Sequence, residues 1–436
     1  MYASRFFSQA GASAMAAEEP RSVAGAFDEF SGLKNNCLKG VQWSPDGTCL
    51  LTASEDQQIR LFELPPELLA GESGDAAAPS AEGDGELVST VCVREGDSIY
   101  DYCWFPRMNS DEPASCCFFG ASRDHPMHLW DAYTGALRAS YSAYNHLDEV
   151  TSTFSMTLDP TGMRLYAGYD RAIRIFDVTR PGRQCELRPT CPSRKSREGQ
   201  RGIISCLAVS PDYSGLFAAG SYSGVVGLYV DSSPTMLCAL GGHRGGVTHV
   251  RFSHDGTYLF SGARQDDAIL CYDVRRSQAP LASFERRCAT NQRIGFDLSP
   301  DSRALLTGGE DGRVLVYDVL QPQQPPAVWL TYPDAVNAAV LHPFLPLLGV
   351  AVGQRHFPLP GEDDSDEEEG GAAEAANERQ SENGLQVWLL PHPLGEAPAT
   401  GEPPPPATEA MAEEPHALPS GAQQAEAVVR KGYTSS

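Results

Sequence analysis

The sequence predicts an all-β fold, a ring of seven small sheets, on three observations. One phrase recurs seven times: an apolar strand, a turn of the Ser-Pro-Asp-Gly kind, a second strand, a short polar loop and a strand ending in aromatic-Asp. The units cover residues 41–64, 100–133, 154–178, 204–230, 247–274, 293–319 and 336–390. Their turn residues Pro45, Pro106, Pro160, Pro211, His254, Pro300 and Pro343 lie 61, 54, 51, 43, 46 and 43 residues apart. The later spacings match the ~40–45-residue period of WD-type blades. The composition agrees: 41% apolar residues can fill a large core, and 41 glycines with 33 prolines suit a fold of many tight turns. One unit cannot bury both of its faces, whereas seven in a ring can. The fold class is therefore a seven-bladed WD-repeat β-propeller, with acidic inserts and tails expected to be disordered.

Taken in order, residues 1–22 read as a disordered leader. Its first seventeen residues lack acids and contain Arg5, Phe6 and Phe7, a weak transit-peptide resemblance. The propeller spans 23–390, and residues 23–36 are expected to pair with the last blade, because propellers close by combining both chain ends. Inner strands such as 206–209 and 315–317 alternate poorly, as strands buried on both faces do. An insert at 65–86, rich in Ala, Gly and acids, reads as a disordered loop. A second insert, 361–383, splits blade seven before the strand at 385–389. The tail, 391–436, is rich in Pro, Ala and Glu, with Pro403 to Pro406 consecutive, and reads as disordered. The most apolar stretch, 336–353, contains His342, Pro343 and Pro346 and reads as two strands, a poor membrane span.

The net charge of −24 is unevenly distributed. Residues 65–87, 361–382 and 383–436 hold −19 of it, whereas residues 136–300 sum to +4. The propeller body is thus nearly balanced, with a basic middle. Only four lysines stand beside 29 arginines, and Arg suits bidentate phosphate contacts and stacking on bases, although codon bias gives the same ratio. Twelve scattered cysteines without a C-x-x-C pair argue against zinc and redox motifs and for reduced thiols.

No catalytic constellation is present: no G-x-S-x-G, no phosphate-binding P-loop and no H-E-x-x-H. Asp273 and Asp318, like Asp46 and Asp177, fall at turn or strand-end positions that a propeller needs. No cofactor or metal is implied. Function then belongs to a face of the ring. Loops between the second and third strands carry Arg123, Arg171, Arg264 and Arg355, and loops between blades carry His146, Arg201, Arg244 and Arg293. Arginines with His, Asn and Tyr suit phosphate contact and base stacking. Arg171 also has Asp170 or Asp177 as an ordinary partner. His243 precedes Tyr272-Asp273 by about thirty residues, the Gly-His to Trp-Asp spacing of a structural hydrogen-bond network within a blade. Ser365 lies in an acidic run, 363–369, of the kind acidophilic kinases favour; a merely solvated loop is the alternative.

Loop phrases that the propeller does not dictate are more specific. These are 95–104 (Glu-Gly-Asp-Ser-Ile-Tyr-Asp-Tyr-Cys-Trp), 143–151 (Ala-Tyr-Asn-His-Leu-Asp-Glu-Val-Thr), 261–264 with 270–273, and 291–294 with 296–298. Together with 64–68, 132–135, 180–183 and 353–355 they resemble the telomerase Cajal body protein family over roughly residues 37–357. The resemblance implies a non-catalytic, RNA-binding scaffold for the CAB box of small Cajal body RNAs and telomerase RNA. It would direct H/ACA ribonucleoproteins to Cajal bodies and support telomerase traffic to telomeres. Implied partners are those RNAs, dyskerin, the telomerase catalytic subunit, coilin and the survival-of-motor-neuron protein. Implied locations are the nucleus, its Cajal bodies and telomeres, with some protein in the cytoplasm. The alternative is a protein-only WD-repeat adaptor, such as a cullin-ligase substrate receptor, supported by residues 268–275, which resemble the WD-x-R motif.

Overall fold

The computed structural model describes residues 20–32, 36–69, 85–193, 196, 198–276, 279–355 and 383–391. Ser365 and nearly all of the leader, second insert and tail therefore lie outside the described residues. Seven antiparallel sheets are present, one per predicted unit. The innermost strands run Leu38–Trp43, Ile99–Trp104, Ser155–Leu158, Ile204–Val209, Val247–Phe252, Phe296–Leu298 and Val336–Leu341. In the first six blades the later strands step outward from these in chain order, and the last blade does so through its third strand. Second strands such as Cys49–Ser54, Cys117–Ser122 and Leu347–Val352 are buried at every position, which explains their lack of alternation.

The last sheet closes the ring. Its third strand, Gly384–Leu389, pairs antiparallel with Arg21–Ala26 from the other end of the chain. The closing strand thus begins at Arg21, inside the stretch assigned to the leader, because Arg21 already faces Leu389 in register. The first insert also differs from the expectation of a loop throughout. Pro66–Leu69 forms a single helical turn with proline at its start, and Leu68 and Leu69 pack on the core of the closing blade. Gly85–Glu86 pairs parallel with Ala24 and Gly25, so it covers the outer edge that the closing strand would leave bare.

Apolar layers fill the spaces between blades, with Phe118, Phe119, Leu165, Phe217 and Phe260 fully buried. Truncating such a phenylalanine typically costs about 3–5 kcal/mol. The innermost strands have no sheet partner on their axial side. A belt of polar contacts joins each blade to the next instead. Lys39 Nζ donates to the Ile99 carbonyl at 2.9 Å, the Met156 N–H to Asp101 at 2.8 Å, and Ser155 Oγ to the Ile204 carbonyl at 2.9 Å. Ser205 Oγ donates to the Val247 carbonyl, Arg251 pairs with Asp297 at 2.8 Å, and the Leu341 N–H donates to Asp297 at 2.9 Å. Asn337 Nδ2 completes the circle on the Leu38 carbonyl at 2.7 Å.

Candidate nucleic-acid interface

Because consecutive strands of each blade are antiparallel, the loops after second strands and the loops between blades emerge on one face. All seven candidate contacts, Arg123, His146, Arg171, Arg201, Arg264, Arg293 and Arg355, begin on that face. What holds each of them differs.

Three of the arginines are committed to carboxylates. Arg171 has φ +56 and pairs with Asp170 at 2.6 Å, the ordinary partner noted above. Arg355 pairs with Glu55 at 2.6 Å, and the same carboxylate takes Lys39 at 3.4 Å. Arg293 departs furthest from a free rim position. It precedes the innermost strand of blade six yet pairs at 2.9 Å with Asp101 on the innermost strand of blade two. Those blades are not neighbours, so the ion pair crosses the mouth of the central channel. Burial works against the Arg293 charge, but Asp101 outweighs it and moves the guanidinium pKa up. The half-buried imidazole of His249 lies near Arg293 and Arg251, and desolvation first, then those cations, drives its pKa well below the ordinary value.

The remaining arginines lack a carboxylate partner among the described residues. Arg123 is exposed; its Nε donates to the Tyr100 hydroxyl at 3.0 Å and its guanidinium lies 5.9 Å from that ring's centre. Arg264 lies 4.3 Å over the Tyr222 ring. Arg201 and Arg244 are exposed, and so is His146, in the loop between blades two and three. The loops of blades four and five are drawn together by glycine. A β-carbon on Gly245 would sit 1.8 Å from the Arg264 carbonyl, and one on Gly246 would sit 2.9 Å from the Tyr222 Cα. The loop 222–224 is thus held between the Arg201 loop and the Arg244 loop. The arrangement presents flat aromatic surface and uncompensated guanidinium groups on one side, the donor set for phosphate and base contact.

The residues assigned to structure have structural surroundings. His243 donates from Nδ1 to Asp266 at 2.9 Å and accepts at Nε2 from Ser261 at 2.7 Å. Burial lowers its pKa against the pull of Asp266, which suits a neutral ring bridging two loops. Asp273 takes Arg275 bidentately at 2.9 Å and its carboxyl is pushed down to about 2 by those hydrogen bonds. This binds the Arg275 guanidinium of the WD-x-R-like segment on the opposite face. Asp318 accepts the Leu320 N–H at 2.9 Å and shapes its turn.

The sequence reading missed equivalents of His243 in other blades. Glu95 is buried and accepts from Ser122 at 3.1 Å, His128 at 2.9 Å and the Trp130 indole at 2.8 Å. Gln200, the residue before Arg201, is fully buried and donates to the Ala219 and Val225 carbonyls. Tyr222 was also missed. Its signal was positional: it follows strand Leu216–Ser221 as Arg123 follows Cys117–Ser122.

Among the described residues no group of three or more His, Cys, Asp or Glu side chains could hold a metal ion, and no helix is long and apolar enough to cross a membrane. The WD domain, G-beta repeat family matches residues 29–63, 234–273 and 286–318. Telomerase Cajal body protein 1 of Homo sapiens is 44% identical over 85% of this chain and 66% of its own length. Its Drosophila melanogaster homolog is 38% identical over 73% of this chain and 57% of its own length. A Schizosaccharomyces pombe protein, guanine nucleotide-binding protein negative regulator 1, is 28% identical over 81% of this chain and 88% of its own length. The chain thus spans about two thirds or less of the telomerase Cajal body relatives it matches. With seven WD-type blades and this identity across most of its length, the chain belongs to the telomerase Cajal body protein family.

Proposed function

We propose that this propeller is a non-catalytic RNA-binding scaffold that takes the CAB box of small Cajal body RNAs and of telomerase RNA on its loop face. The observation that carries the reading is the set Arg123, Arg201, Arg244 and Arg264, four guanidinium groups on one face without a carboxylate partner among the described residues. Phosphates are the natural counter-charge for such groups, and unpaired bases stack on the adjacent rings. His146 stands beside this set as a further contact. Arg171, Arg293 and Arg355 act mainly through their carboxylates, fixing the loops and the channel mouth.

The names of the relatives support placing the protein in nuclear Cajal bodies and with telomerase. On this reading it carries H/ACA ribonucleoproteins there, with dyskerin, coilin, the survival-of-motor-neuron protein and the telomerase catalytic subunit as partners, and it serves telomere maintenance. Ser365, in the acidic insert, is a proposed phosphorylation site. The deciding experiment sequences RNA crosslinked to the full chain in cells. Guide-type H/ACA RNAs with reads centred on CAB boxes are the expected result. Recovery of a ubiquitin-ligase adaptor with no crosslinked RNA would overturn it in favour of the protein-only reading.

A further inference from the structure

The structure assigns a base-stacking role to Tyr222: we propose that its ring is the platform for one unpaired nucleobase, with Arg201, Arg244 and Arg264 holding the flanking phosphates. The inference rests on the RNA-binding reading and deepens it by naming where a base, rather than the backbone, is held.

Four observations converge on this tyrosine. At 41% exposure it is the most exposed aromatic residue of the loop face among the described residues; Tyr133, Tyr213 and Phe344 are more exposed but sit on the opposite, turn-bearing face. It is held rigidly, since its N–H donates to the Ile203 carbonyl at 3.0 Å and its Cα lies against Gly246, where any β-carbon would come within 2.9 Å. Its hydroxyl makes no hydrogen bond among the described residues, so packing and not a polar anchor sets the ring. The Arg264 guanidinium carbon lies over the ring, 4.3 Å from its centre, a contact a base can extend or replace.

The charge around the ring selects the ligand. A cationic group such as a methylated lysine needs an aromatic cage with acids near it. Here Arg264 lies on the ring and the two loops that flank it carry Arg201 and Arg244, none of the three with a carboxylate partner among the described residues, so a cation is repelled. A ligand that is anionic and also carries a flat π-surface fits both halves of the site, and a single-stranded nucleotide is such a ligand. An acidic peptide satisfies only the charges.

The test compares two ligands on the full chain: a twelve-nucleotide single-stranded RNA and its abasic counterpart, which keeps the phosphates and loses the bases. Wild type should prefer the base-bearing strand, and Tyr222→Ala should lower its affinity roughly tenfold to a hundredfold, the range for losing one stacked base. The salt slope should stay unchanged, because the phosphate contacts remain. Tyr222→Phe should behave as wild type. If Tyr222→Ala keeps the wild-type affinity for both strands, Tyr222 is no platform, while the RNA-binding reading stands. If wild type holds poly-glutamate as firmly as the RNA, the face is only electrostatic and the inference falls. If wild type holds no RNA at all, both readings fall together.

Discussion

The arginines over blades six, seven and one differ from those over blades two, four and five, although all are exposed to the same solvent on the same face. In the first region each exposed charge is matched, Arg355 by Glu55, Arg287 by Glu310 at 3.4 Å and Arg313 by Asp311, and beneath them the buried Arg60 is held by Asp56 at 2.6 Å. In the second, guanidinium groups rest on Tyr100 and Tyr222 or stand alone. The comparison teaches that residue type does not decide function here; the neighbour does. A guanidinium with a carboxylate beside it has spent most of its attraction for phosphate, and one on an aromatic ring has not.

Four experiments break or sharpen this contrast. The largest effect is on the fold. Arg293→Met leaves Asp101, which is 7% exposed, without its cation, and stability should fall by about 3–4 kcal/mol in denaturant unfolding. The lower end of the buried-pair range applies because the Arg293 side chain is 38% exposed in the channel mouth. A loss under 1 kcal/mol would return Arg293 to the free set.

Acid comes next, and it separates loss of fold from loss of face. His342 donates from Nε2 to the Gly47 carbonyl at 2.8 Å, and its Nδ1 accepts the Phe344 and Leu345 N–H groups at 3.0 and 2.9 Å. It must therefore be neutral, and burial lowers its pKa to about 4. The unfolded ring titrates near 6.5, so the neutral ring's stabilisation is complete above that pH and is lost as pH falls from about 6.5 to about 4. The loss from this ring should reach about 3 kcal/mol, and a pH series of unfolding midpoints should show a steeper slope in wild type than in His342→Gln, the remaining slope coming from His243 and His249, whose pKa values burial also lowers.

Third, Arg201→Glu with Arg264→Glu should leave the unfolding midpoint nearly unchanged yet weaken RNA binding about a hundredfold, near 2.7 kcal/mol. The log–log salt slope should become shallower by about 0.7 for each lost phosphate contact. Equal affinity in filter binding would remove blades four and five from the interface. The smallest effect is expected from Arg355→Gln, whose pair is half exposed. It should change stability by less than about 1 kcal/mol and RNA affinity hardly at all. A loss of affinity comparable with the double reversal would abolish the distinction between the two regions.

Much of this molecule was legible in the one-dimensional pattern. Repeat count, blade limits and the joining of both chain ends follow from local turn chemistry and from the need of each sheet to bury two faces. His243 was legible for the same reason, since its spacing to Tyr272 belongs to one blade. Its functional analogues Glu95 and Gln200 were not, because different side chains solve the same bridging problem and no shared spacing marks them. The ordered ends of the first insert were hidden too: Gly85–Glu86 is a strand only because the edge of Arg21–Ala26 lies beside it.

The sequence by itself determined the ring, its seven blades, the face on which the arginines emerge and the family resemblance, all of which rest on short-range periodicity and loop phrases. Only the tertiary structure decided which of those arginines are free. Glu55 meets Arg355 across the ring closure, Asp101 meets Arg293 across the channel, and Tyr222 meets Arg264 across two blades. Each partner is brought near by curvature of the whole ring, a distance that no local pattern encodes, and electrostatic attraction and stacking act only once that distance is a few ångströms.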